Sequence, residues 1–131
     1  MKFEWTEAMS TGIEEIDNEH RTLFAWINRL SEANATGTGE HEVMRVLSFL
    51  GIYASKHFAH EEDCFARHVC PHAELNRKAH REFVTHFAHV KAECEAHGVT
   101  ETKALELQEW LGQWLQNHIL RVDSTIWPFV P

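Results

Sequence analysis

The sequence predicts an all-α protein, an up-down-up-down four-helix bundle with an N-terminal extended arm, with residues 1–131 forming one domain. Three observations carry this prediction. Apolar residues recur at alternating steps of four and three along four long stretches, which is the spacing of one helix face and of helices packed at shallow angles. The breaks between stretches are only a few residues long, so consecutive helices are antiparallel neighbours. Strand-like alternation with regular turn signals is absent.

The first helix is expected from about Asp17 to Ala33, with the stripe Ile16, Leu23, Ile27, Leu30 and His20 in step. Asp17 or Asn18 supplies its N-cap, and the Asn34–Gly39 segment ends it. The second runs from about Glu40 to His68, with the stripe Val43, Leu47, Leu50, Ala54, His57, Glu61, Cys64. Pro71 closes that segment and suits the first turn of the next helix. The third runs from about His72 to Ala96 through Ala73, Asn76, His80, Phe83, Phe87, Val90 and Cys94, and Gly98 stops it. The fourth runs from about Glu101 to Val122 through Ala104, Leu107, Leu111, Trp114 and His118, and Pro128 forbids much helix beyond it.

Composition narrows the function classes. A chain that is 44% hydrophobic and 11% aromatic can bury a sizeable core and is not disordered. Twelve Lys+Arg against 20 Asp+Glu leave a net charge of −8, which argues against nucleic acid and against anionic membrane surfaces. No run approaches the roughly 18 apolar residues of a membrane span, and Met1-Lys2-Phe3-Glu4-Trp5 lacks the apolar stretch of a signal peptide. Cys64, Cys70 and Cys94 are an odd set without a CxxC pair, so they read as reduced thiols of a cytoplasmic protein. Cys64 lies in the core phase and reads as a small inert hydrophobe.

The apolar stripes are interrupted by polar residues. His20, His57, Glu61, Asn76, His80 and His118 occupy core-facing phases, and Asp123 lies five residues beyond His118. His57 and Glu61 are four apart, as are Asn76 and His80, so the members of each pair lie about 40° apart on one helix face. Burying such groups unpaired costs about several kcal/mol each. The compensator is either an internal hydrogen-bond network or a metal site built from facing helices. Imidazole and carboxylate without thiolate suit iron, manganese or zinc. Two carboxylates can bridge two metals, although helix phase does not decide between one metal and two. His41, His60, His68, His72, His86, His89 and His97 fall mostly off the stripes and are expected in solvent, and His68-Val69-Cys70-Pro71-His72 is a weaker second cluster at a helix junction.

These residues resemble the hemerythrin family, in particular its single-domain bacterial members. The likeness runs in order through Trp5, Gly12-Ile13, Ile16-Asp17-Asn18-Glu19-His20-Arg21-Thr22-Leu23-Phe24, His57-Phe58-Ala59-His60-Glu61-Glu62, Pro71, His80-Arg81-Glu82-Phe83 and Trp114-Leu115-Gln116-Asn117-His118-Ile119-Leu120-Arg121-Val122-Asp123. The resemblance implies two iron ions inside the bundle, bridged by Glu61, Asp123 and a solvent-derived oxo or hydroxo group. It assigns His20 and His57 to one iron and His80 and His118 to the other. It also implies reversible O2 binding, for transport, storage or sensing, in an apolar pocket walled by Leu23, Phe58, Trp114 and Leu115. Ordinary core packing accounts for those four equally well.

Two positions depart from the family pattern. Asn76 stands where the family places a further histidine ligand, so it is either a weak amide-oxygen ligand or leaves an open, water-filled position. Ile126 stands where the family often has tyrosine. The first departure raises an alternative: a diiron enzyme or scavenger that reacts with O2, peroxide or NO. A third class, a metal-free histidine phosphotransfer module, needs one exposed histidine and fits less well, because four histidines share inward phases. The expected partners are O2 or another small diatomic ligand and a separate redox or signalling protein.

Overall fold

A computed structural model of the chain describes residues 2–131. Four helices make the bundle: α1 (Glu14–Ala35), α2 (Gly39–Arg67), α3 (Ala73–His97) and α4 (Glu101–Arg121). A short 3-10 turn, Glu7–Met9, precedes α1, and a 3-10 segment, Asp123–Phe129, comes after α4. The expected stripes face inward. Ile16, Leu23, Ile27 and Leu30 of α1 are buried, as are Val43, Leu47, Leu50, Ala54 and Cys64 of α2. Phe83, Phe87, Val90 and Cys94 of α3 and Ala104, Leu107 and Leu111 of α4 join them, while Ala73 and Trp114 are only half-buried.

The helix ends differ from expectation in two places. Ile13 is the N-cap residue of α1 and offers no side-chain hydrogen bond. Asp17 lies inside the first turn and is taken up elsewhere: its Oδ1 accepts from the Thr11 N–H and hydroxyl, both at 2.9 Å, and its Oδ2 accepts from Ser10 at 3.0 Å. The carboxylate therefore fastens the incoming chain instead of capping the helix, and the acidic first turn still suits the helix dipole. Pro71 lies in the turn before α3, whose N-cap is His72, so it is outside the helix. Gly98, at φ +78, ends α3 as expected. Thr100 caps α4 by accepting from Lys103 N–H at 3.1 Å.

The arm is clamped along α1 and α4. Asn28 accepts from Phe3 N–H at 2.8 Å and donates to Phe3 carbonyl at 2.7 Å. The Phe3 ring is buried over Gly112 of α4, where any Cβ would overlap it. Trp5 stacks under the Arg21 guanidinium at 3.9 Å. At the far end of α1, Asn34 donates to Gln108 at 2.8 Å and to Ala104 carbonyl at 3.2 Å, holding α1 against α4.

Buried apolar residues form two clusters. The larger includes Leu23, Leu50, Phe58, Phe83, Leu111 and Leu115, and the smaller includes Ile16, Cys64, Phe65, Cys70 and Ile126. On α1 and α2 the polar stripe residues fall between positions belonging to the two clusters, and those of α3 and α4 meet them there, so the bundle encloses one polar layer. Ile126 packs into the smaller cluster, whereas Trp127 is 56% exposed and lies against Gly12. The cysteines are unpaired and buried. No helix among the described residues is long and apolar enough to cross a membrane.

Candidate metal centre

The polar layer brings together side chains from all four helices and the segment after α4. His20 comes from α1, His57 and Glu61 from α2, Asn76 and His80 from α3, and His118 from α4, with Asp123 opening the 3-10 segment. None of the seven is more than 6% exposed. Their donor atoms form two overlapping groups, His20, His57, Glu61 and Asp123, and Glu61, His80, His118 and Asp123, each spanning no more than 4.8 Å. Among the described residues no third group of metal-binding type forms, and the His68–His72 run does not make one.

The carboxylates are shared in a specific way. Glu61 Oε2 faces His20 Nε2 at 2.9 Å and His57 Nε2 at 3.1 Å. Glu61 Oε1 faces His80 Nε2 at 2.9 Å and His118 Nε2 at 3.8 Å. Asp123 Oδ2 meets His20 Nε2 at 3.2 Å, and Asp123 Oδ1 meets His118 Nε2 at 2.9 Å. Each acid thus turns one oxygen to each histidine pair.

Outer carboxylates orient two of the rings. His57 Nδ1 donates to Glu19 at 2.6 Å, and His80 Nδ1 donates to Glu62 at 2.9 Å. Glu19 also accepts from His60 at 2.8 Å. With Nδ1 carrying the hydrogen, the inward Nε2 atoms present lone pairs to carboxylate lone pairs. His80 Nε2 and His118 Nε2 approach to 3.2 Å. Such a cluster is tolerable only when cations, either protons or metal ions, lie between these atoms.

In the metal-free chain protons fill that role. Burial opposes the charged form of His20, but hydrogen bonds and charge from Asp123 and Glu61 lift its pKa to about 9. Burial likewise opposes the charged form of His57, and the charge of Glu61 with hydrogen bonds to Glu19 and Glu61 raises it to about 9. His118 rises to about 10 through Asp123 and Glu61, again against burial. Glu61 moves the other way: burial favours its neutral form, yet the surrounding imidazoles hold it well below the usual carboxylate range. Glu19, where burial again favours the neutral form, is lowered in the same manner by His57 and His60.

The donor set fits metal ions. It offers four imidazole nitrogens and two bidentate carboxylates without thiolate, a set that suits iron, manganese or zinc. Asn76 Oδ1 is buried without a hydrogen-bond partner among the described residues, and Asp123 Oδ2 has only the 3.2 Å approach of His20 Nε2, off good hydrogen-bond alignment. Asn76 is fully buried inside the cluster, with Nδ2 at 2.9 Å from Glu61 Oε1, 3.0 Å from Asp123 Oδ1 and 3.4 Å from His80 Nε2.

Comparison with known proteins agrees with this geometry. Residues 11–130 match the hemerythrin HHE cation binding domain. The chain belongs to the hemerythrin family. Bacteriohemerythrin of Pseudomonas aeruginosa is 29% identical over 120 residues, covering 92% of this chain and 76% of that protein. Bacteriohemerythrin of Methylococcus capsulatus is 28% identical over 133 residues, covering 95% and 93%. A crystal structure of wild-type hemerythrin superposes with a TM-score of 0.77 at 26% identity over 95% of each chain. The likeness to bacterial single-domain hemerythrins and the buried histidine and acid groups establish a metal-binding bundle.

The four residues expected to wall a ligand pocket, Leu23, Phe58, Trp114 and Leu115, line one cavity together with Leu50 and Leu111 among others. Its volume is about 20 Å³ and its lining is almost wholly apolar, which is room for one water-sized molecule but offers water no partners. Phe58 stacks on His80 with ring centres 3.9 Å apart, and Trp114 stacks on His118 at 4.5 Å, so the cavity borders the histidine and acid cluster. Sequence reasoning missed Glu19 and Glu62. Their signal was adjacency: each flanks a residue of the cluster in sequence while its partner imidazole sits on a neighbouring helix.

Proposed function

We propose that this hemerythrin holds two iron ions and binds O2 reversibly. His20 and His57 would hold one ion and His80 and His118 the other, with Glu61 and Asp123 each able to offer one oxygen to either side. The observation that carries the reading is that each acid turns one oxygen to each imidazole pair beside an apolar cavity. A ferrous pair supplies the two electrons that reversible O2 binding needs. The protein's own part is to exclude water, hold the rings by Glu19 and Glu62, and offer a small apolar chamber to a neutral diatomic ligand. Carrier, storage and sensing roles share this chemistry, and the three buried thiols suit a reducing cytoplasm.

Asn76 favours a second reading, reaction with O2, peroxide or NO. Its amide occupies the space beside His80 with Oδ1 unpartnered. A neutral amide is a poorer and harder ligand than imidazole, so an ion held by His80 and His118 would be left with a position open to solvent or a second small molecule. The test is the iron count of anaerobically loaded protein, with the visible-absorption lifetime of its O2 adduct, in the native chain and in Asn76→His. Two irons and a longer-lived adduct in the variant are expected. No iron uptake defeats the diiron reading, and an unchanged lifetime removes Asn76 as the residue that sets reactivity.

A further inference from the structure

The contact between α3 and α4 contains a row of rings that gas binding does not require. Trp114 stacks on His118, with centres 4.5 Å apart and planes 14° apart. Phe83 meets Trp114 at 4.4 Å and stacks on Trp110 at 5.2 Å with planes 9° apart. One phenyl ring therefore joins two indoles that sit a turn apart on α4. Trp110 also meets the exposed His86 at 4.5 Å and lines a surface cleft of about 100 Å³ with Lys103 and Glu106. A branch runs from Phe83 to Phe58 at 5.7 Å, and Phe58 stacks on His80 at 3.9 Å.

The row ends in stacked rings on His80 and His118, the two imidazoles of one metal position. His20 and His57 carry no stacked ring; they meet each other edge-on at 4.7 Å, and His57 meets Phe58 tilted at 5.9 Å. A comparable stack elsewhere, Trp26 on Phe49 on Tyr53, reaches no residue of the cluster. The cluster itself is closed: Glu61 is 1% exposed, His80 2%, His118 6% and Asp123 0%. A reductant in solution cannot touch the metals, so an electron must tunnel through protein, and the contacting rings of the row give it a continuous path of π-systems from the surface to His118 and His80.

We propose that Trp110, Phe83 and Trp114 form a conduit carrying single electrons from a small cationic one-electron donor at the Trp110 cleft to the metal position of His80 and His118. The proposal rests on the reading of a redox-active metal pair. The donor loses one electron and departs one unit more positive, and a ferric ion at that position gains the electron and becomes ferrous. No covalent bond changes in the rings and no proton travels with the charge. A cationic donor is argued from the chain's net charge of −8, which raises cation concentration at the surface, while Lys103 and Glu106 offset each other at the cleft.

The test uses a ruthenium tris-bipyridine label on Glu106→Cys, which is exposed, while the three native cysteines are buried. A second label on Glu15→Cys, 81% exposed and on the α1 side, serves as the control position. In zinc-loaded protein, flash oxidation of the Glu106→Cys label is expected to produce an indole radical at Trp114 by electron paramagnetic resonance, with a several-fold lower yield in Trp110→Phe. In iron-loaded protein, flash reduction of the ferric centre from the same label is expected to slow several-fold in Trp110→Phe, while reduction from the Glu15→Cys label keeps its rate. Phenylalanine retains the ring packing, and unchanged melting and iron count verify that only the electronic property changed. Equal radical yields and equal reduction rates in both proteins overturn the conduit and leave the rings as packing. A chain that takes up no redox-active metal defeats the proposed function and the conduit's purpose together, whereas a ferric centre reduced at an unaltered rate defeats the conduit alone.

Discussion

Loading metal into this chain should expel protons. In the metal-free protein His20 and His57 hold protons up to about pH 9 and His118 up to about pH 10, because His20 and His118 face Glu61 and Asp123 and His57 lies between Glu61 and Glu19. A metal ion needs the same lone pairs, so on the proposed two-ion occupancy these three protons would be displaced near neutral pH. The same groups set the stability of the metal-free chain. A rise from 6.5 to about 9 corresponds to about 3 kcal/mol of preference for the protonated folded state. This contribution is fully present below 6.5 and is lost as pH rises through about 9 to 10. All three histidines lean on Glu61, with Asp123 shared by His20 and His118 and Glu19 serving His57, so their losses do not add. Glu61 is depressed, so its contribution is present above 4.5 and is lost as pH falls through its folded-state value. The metal-free chain is therefore expected to be most stable between 4.5 and 6.5 and to melt progressively earlier towards pH 9, whereas metal adds more stability as pH rises. Anaerobic ferrous titration in weak buffer with a pH indicator counts the protons, and thermal melts of chelated protein track the stability. Loading without proton release, or a chelated chain that melts later at pH 9 than at 6.5, would refute the reasoning.

Three further outcomes rest on named contacts. Glu19→Ala removes the acceptor of His57 and His60 and should weaken metal binding by about 10–100-fold, measured by competition with a chelator. Gly112→Ala places a methyl group into the Phe3 ring; displacing the arm should cost about 1–3 kcal/mol, read from denaturant unfolding, and a Phe3→Ala background should abolish most of that cost. Ala54→Leu fills the apolar cavity at its α2 wall and should slow formation of the O2 adduct at unchanged iron content, seen by stopped-flow absorbance.

The bundle was legible because its packing rule is written in phase. On α2, Val43 through Cys64 step by four and three, and every member of that stripe is buried. His57 and Glu61 were found on it because a polar residue in a core phase is anomalous. Asn76 and His80 were found in the same way on α3. The α1 cap was misplaced because Asp17 has the chemistry of a cap, yet Thr11 and Ser10, brought back over the helix start by the arm, claimed it. Glu62 could not be assigned a partner from the sequence because that partner, His80, is 18 residues away on α3. The burial of Phe3 over Gly112 left no periodic trace, since a glycine in a helix reveals only that something comes close, not what.

Glu61 and Asp123 belong to both halves of the centre at once, and this makes occupancy a collective property. On the proposed two-ion reading, an ion seated by His20 and His57 would pin one oxygen of each acid and so aim the other oxygens at the vacant half. Partly filled molecules should be scarce at substoichiometric iron, and the population should divide into empty and doubly filled forms.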